Sequence, residues 1–125
     1  MPGWKRTCTY HCTVLDSLSD KLEQYMNVVS LRQKLVASNI ANADTPGYKA
    51  QDVDFQASLR AAMDGGSPQP MEVSGLAVKN DGNNVDLDRE ARLLAENAMR
   101  FNVAANLMHS VIQQVREAIH GGTSS

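Results

Sequence analysis

Aromatic residues are scarce in this chain, and their scarcity bounds what it can be. Trp4, Tyr10, Tyr25, Tyr48, Phe55 and Phe101 are the full set, too few for a compact globule organised around an aromatic core. No apolar run approaches the roughly 18 residues that suggest a membrane span, so direct membrane insertion is not expected. Neither sign of charge dominates. Twelve Lys and Arg stand against 14 Asp and Glu, for a formal net charge of −2, which leaves no footprint for nucleic acid or an anionic membrane surface. Lys5 and Arg6 have no apolar stretch behind them, so no cleavable signal peptide is visible; export by an uncleaved signal stays open.

Chemistry-bearing groups are equally thin. Cys8 and Cys12, with His11 between them, supply three potential metal ligands, whereas a structural zinc site takes four in paired spacings. His11, His109 and His120 have no nucleophile or orienting acid grouped with them. Asp52 with Asp54, and Asp86 with Asp88, read as turn and cap residues. The segment DGNNVDLDRE lacks acidic ligands at alternating positions before its glycine, so it is not a calcium loop. The sequence predicts no enzyme, no metal and no cofactor.

What the chain does have is heptad periodicity. Leu15, Leu18, Leu22, Tyr25, Val29, Val36 and Asn39 follow alternating steps of three and four, with Arg32 as a polar interruption. Asp16, Ser17, Ser19 and Asp20 suit a helix start, and Pro46 biases Thr45 out of helical geometry. A helix over 15–43 is predicted. A second line is more regular: Leu87, Ala91, Leu94, Ala98, Phe101, Ala105, Met108, Ile112, Val115 and Ile119. Asp86 is its expected N-cap, Asp88 and Glu90 charge its first turn, and Gly121 and Gly122 stop it. That predicts a helix over 86–120.

The fold class expected is all-α: two long terminal helices paired as an antiparallel coiled-coil hairpin around a flexible, irregular middle at 44–85. In that middle, DGGSPQP (64–70) reads as a linker, NDGNN (80–84) as a turn and Leu76 to Lys79 as a weak strand. The domain is expected to occupy 14–125. Pro46 and Gly47 predict a type II turn, with proline fixing φ at the second position and glycine accepting a positive φ at the third.

The second helix also carries Leu93, Met99, Val103, Leu107 and Val111 off its main seam, and the first carries Val28, Leu31 and Leu35. A helix apolar around half its girth needs more than one neighbour. The chain is therefore read as one completed by other copies or other proteins. Asn39 and Asn42 flank small apolar residues, and coiled coils use such amides to fix register. Asn102 and Asn106 form an amide stripe beside the second seam. A solvated face is the better reading for Gln113 and Arg116.

The stretch LVASNIANADTPGYKAQDVDF (35–55) resembles the N-terminal signature of flagellar rod, hook and hook-filament-junction proteins, with Asn39, Ile40, Ala41 and Asn42 at its centre. LRQKLV (31–36), TPGYK, QDVDF and NNVDLDREARLLAENAMRFNVAANLM (83–108) resemble one branch, the proximal rod proteins of the FlgB family. The likeness spans about 15–120. It implies a structural subunit that polymerises helically into the proximal part of the drive-shaft crossing the periplasm. It also implies export without a cleaved signal, through the flagellar type III apparatus. Implied partners are other rod subunits, copies of itself, the rod-base protein and the membrane-supramembrane ring. Asn39, Ile40, Asn42, Thr45, Pro46, Gly47 and Tyr48, with Asn102 and Asn106, are the implied assembly contacts. Two competitors stay open: a distal rod or hook subunit, and a non-polymerising helical-hairpin adaptor or export chaperone.

Residues 1–13 match nothing in that family. They lack the heptad pattern and hold both cysteines, whose pairing would close a small loop and stabilise little. The expectation is a mobile tail, or an artefact of gene-start assignment with translation beginning near Val14.

Overall fold

The computed structural model describes the backbone of residues 5–121 and side chains from Thr13 onward. Three helices and two very short strands follow in the order α1 (Lys5–Ala41), β1 (Gln51–Asp52), α2 (Phe55–Met63), β2 (Met71–Glu72) and α3 (Leu87–Gly121). At about 1.5 Å per residue, α1 and α3 are rods of roughly 55 and 52 Å. They pack antiparallel: Ser19 near the start of α1 lies beside Met108 late in α3, and Asn39 at the end of α1 meets Glu90 at the start of α3. The fold is all-α, with two long terminal helices paired antiparallel as expected, although α3 does not close on the seam that its heptads marked.

The first helix begins at Lys5, not at 15. Asp16 to Asp20 therefore lie inside a continuous helix and do not cap it. The backbone of 5–13 is helical and continuous with the rest of α1. Residues 1–4, and the side chains of Cys8, His11 and Cys12, lie outside the described residues. At its other end α1 stops at Ala41, two residues short of the predicted 43, where the turn begins.

The middle of the chain also differs from the flexible linker expected. Asp54 caps α2 by accepting the Ala57 N–H at 3.0 Å, the duty predicted for it. Tyr25 of α1 meets Phe55 of α2 edge to face at 5.4 Å, and the Arg100 guanidinium of α3 lies 4.6 Å from the centre of the Phe55 ring. These contacts hold α2 across both long helices. The strands are at 51–52 and 71–72, paired antiparallel as Gln51 with Glu72 and Asp52 with Met71. Leu76 to Lys79 form no strand; Leu76 instead packs beside a buried cluster of Ala43, Ala50 and Val85. Short polar side chains reaching the backbone order this region where apolar periodicity gave no sign of it.

The interface between α1 and α3 holds the largest surprise. Val28, Val29, Val36 and Asn39 of α1 are buried, close to the predicted seam. On α3, however, the buried residues are Glu90, Asn97, Ala104 and Val111, a seven-residue repeat displaced by three positions, about 60° around the helix, from the apolar line. Leu87, Leu94, Phe101, Ile112, Val115 and Ile119 of that line are exposed. Most of the apolar seam predicted to close the hairpin is thus left exposed; Ala105 and Met108 are half-buried, Met108 beside Ser19 of α1.

Candidate assembly site

The turn after α1 is built as the sequence predicts. Thr45 accepts the Tyr48 N–H at 3.2 Å across Pro46 and Gly47, and Gly47 has φ +74°, the third-position value of a type II turn. The NDGNN segment forms a second turn, with Gly82 at φ +85° and its N–H on the Lys79 carbonyl. The two turns touch: Gly47 donates to the Asp81 carbonyl at 2.9 Å, and a Cβ at Gly82 would sit 3.4 Å from the Gly47 Cα.

Positive φ at Gly47 makes a substitution there testable. A Cβ added at this position would meet nothing within 4 Å, so the main cost of Gly47→Val is backbone strain, about 2 kcal/mol for a β-branched residue held left-handed. The thermal midpoint of the variant should fall while its helical circular dichroism at low temperature stays near wild type, because the turn lies outside every helix. An unchanged midpoint would show that the turn can flatten without penalty.

Asn83 ties this turn pair to the helix end. Fully buried, it donates to the carbonyls of Asn42 (2.9 Å) and Thr45 (2.8 Å) and accepts the Val85 N–H. Lys79 places its ammonium on the Ala43 carbonyl at 3.0 Å, a cation at the negative end of α1. Asn84 accepts the Ala50 N–H at 2.7 Å. Carbonyls of the turn that follows α1 thereby gain side-chain donors from 36 to 41 residues downstream.

Asn39 is the centre of the arrangement. Its Nδ2 donates to the Gln51 carbonyl (2.8 Å) and to Glu90 Oε2 (3.0 Å), and its Oδ1 accepts from the Gln51 N–H (3.0 Å) and the Tyr48 hydroxyl (3.1 Å). Beside it, Asp52 accepts from Arg32 Nε and Nη2 at 2.9 and 3.1 Å, from Arg89 at 2.6 Å, and from the Val53 N–H at 2.8 Å. Arg89 also reaches Glu90 Oε1 at 2.6 Å. Burial alone would push the Asp52 carboxyl up. The Arg32, Val53 and Arg89 donors together with the Arg32 charge more than offset this and hold it below the ordinary 3.8. One polar clasp thus joins α1, the turn, β1 and α3.

The sequence-predicted contacts separate into two groups. Asn39 has no surface left to offer, and Asn42 is spent locally, on the Ser38 carbonyl and the Thr45 hydroxyl. Tyr48 is half-buried in the clasp. Ile40, Thr45, Pro46 and Gly47 are exposed, as are Asn102 and Asn106 on α3. Asp86 caps α3 through the Asp88 and Arg89 N–H groups at 3.0 and 3.2 Å, and Asp88 stands in the first turn, as predicted. The clasp itself is not visible in the sequence: Asp52, expected in a turn or cap, instead holds Arg32 and Arg89, Glu90 does more than charge the first turn of α3, and Asn83 more than close its own turn. The interrupting Arg32 was a signal, since a cation set in an apolar seam needs a carboxylate partner. Among the described residues, no group of three or more His, Cys, Asp and Glu could hold a metal ion, and no helix is long and apolar enough to cross a membrane.

A long hairpin that spends its polar groups on its own clasp, and turns its most regular apolar seam outward, belongs to the class of structural assembly subunits. The comparisons with known proteins make that class specific. Residues 26–49, which run through the end of α1 and the TPGY turn, match the family model for flagella basal body rod protein. The chain is 31% identical to the flagellar basal body rod protein FlgB of Salmonella typhimurium over an alignment covering 87% of this chain and 99% of that one. The FlgB protein of Borrelia hermsii is 34% identical over 70% of this chain and 84% of its own length. That of Bacillus subtilis is 30% identical over 81% and 92%. The chain belongs to the FlgB family of flagellar basal body rod proteins, and is a structural subunit of the bacterial flagellar rod that assembles with other basal-body components.

Proposed function

We propose that this subunit builds the proximal part of the rod by packing the outward seam of α3 against neighbouring helices, and that its role is architectural, without catalysis. The observation that carries the proposal is the displacement on α3: the hairpin closes on Glu90, Asn97, Ala104 and Val111, while Leu94, Phe101, Ile112 and Val115 stay exposed. These side chains are already more than half covered, so burying the remainder is worth about 0.5–1 kcal/mol each, which an assembly gains and an isolated chain forgoes.

The partners in this reading are other rod subunits, further copies of the chain, the rod-base protein and the membrane-supramembrane ring, with delivery by the flagellar type III export apparatus. Ile40 and the exposed TPG turn, with Asn102 and Asn106, are its candidate contacts. Asn39 and Asn42 act indirectly, by holding the turn in place. Sedimentation of the full chain, alone and with the other rod proteins, tests the proposal. Growing or mixed assemblies are expected, and a complex saturating at a fixed small stoichiometry would favour an adaptor instead.

A further inference from the structure

One buried amide is not used by the clasp. Asn97 is 1% exposed, and neither its Oδ1 nor its Nδ2 has a hydrogen-bond partner. The Oε1 of Gln33, facing it from α1, is also buried and unpartnered. Both line a groove of about 310 Å³ between the long helices, whose rim carries Phe101 and Asn102. An unsatisfied buried amide costs about 1–3 kcal/mol, and here two of them open onto one groove.

The outward seam says which way a neighbour lies. Its residues fall at heptad positions a (Ala98, Ala105, Ile112) and d (Leu94, Phe101, Met108, Val115), the repeat that winds two helices around each other; of these Met108 also touches Ser19 of α1. Alanine at a lets the neighbouring backbone approach closely. In this register Asn97 occupies position g and Asn102 position e. In a parallel pair of such helices, a g residue faces the e residue five places further along the partner. Five places on from Asn97 is Asn102.

We propose that α3 of a second copy packs parallel on this seam and places its Asn102 amide in the groove. There it donates to Asn97 Oδ1 or Gln33 Oε1 and accepts from Asn97 Nδ2. The pairing fixes axial register, because a slip of one heptad sets Asn97 against Ala95 or His109. A second copy is the occupant because this chain carries both halves of the contact, the unpartnered amide at g and an exposed amide at e. The inference rests on the rod-subunit reading and adds its orientation, register and contact pair.

Disulfide trapping in assembled basal bodies tests it. Full-length chains with Cys8→Ser and Cys12→Ser, one carrying Asn97→Cys and the other Asn102→Cys, are co-expressed in a strain lacking its own copy, and purified basal bodies are oxidised. A cross-linked dimer is expected from the mixture and not from either variant alone. Ala104→Cys with His109→Cys, a second pair in the same register, should cross-link too, while Asn97→Cys with His109→Cys should not. The second pair keeps the test valid if a cysteine at 97 disturbs folding, which circular dichroism detects. Incorporation of folded variants without cross-linking in either pair overturns the proposed register but leaves the rod-subunit reading standing. Cross-linking of the 97 position solely to a protein of different sequence overturns the choice of a second copy. Absence of the wild-type chain from basal bodies overturns both.

Discussion

Replacing Asn39 with alanine is expected to destabilise the isolated hairpin by about 3 kcal/mol, the order expected when buried groups lose their partners. The amide makes four hydrogen bonds, and each partner is affected differently by its removal. Tyr48 and Gln51 retain access to water. Glu90 does not: it is fully buried, and without Asn39 its Oε2 has lost its donor. Asn39→Asp should be at least as damaging at neutral pH, because it sets a second carboxylate about where Nδ2 lies 3.0 Å from Glu90. Urea unfolding followed by circular dichroism measures both. Asn42→Ala, which loses bonds within its own turn, should cost about 1 kcal/mol. A loss at Asn39 no larger than that at Asn42 would show that the clasp does not hold the helices together.

Asp52 should make the hairpin acid-sensitive. Its carboxyl is held below 3.8 in the folded chain by the arginines and the Val53 N–H, against the upward push of burial. As pH falls, the unfolded chain binds this proton first. The stabilisation is therefore complete above the ordinary carboxylate pKa, and drains away as pH drops from about 4 through the lower folded value. Asp52→Asn keeps the shape but removes the charge, so its stability should change less with pH in that window. At neutral pH, Asp52→Ala leaves Arg32 and Arg89, with side chains 14% and 21% exposed, facing each other without their shared anion. About 3 kcal/mol is expected, the lower end for a broken buried pair, because some water reaches both. Unfolding midpoints measured from pH 2 to 7 check both points. Parallel profiles for wild type and Asp52→Asn would place the acid sensitivity elsewhere.

Local rules made part of this architecture legible. Pro46 and Gly47 dictate their turn through φ alone, Asp54 and Asp86 cap the helices that follow them, and the two heptad runs give long helices whatever their neighbours. The family signature lies in these same local features, so family and role could be read before any fold was known. Tertiary structure decided how α3 is rotated. An apolar stripe says that a face will be buried, and does not say against what. Asn39 pairs with Glu90 across 51 positions, and the neighbouring Arg89 is held by Asp52, so the start of α3 is pinned with the Glu90, Asn97, Ala104 and Val111 repeat inward and most of its apolar line outward. Periodicity could not weigh that, because the energy of a buried amide or ion pair depends on partners that only folding brings within 3 Å. The same limit hid the ordered middle: Asn83 and Asn84 look like turn residues in the sequence, and become structural only when the end of α1 presents them with carbonyls and N–H groups to satisfy.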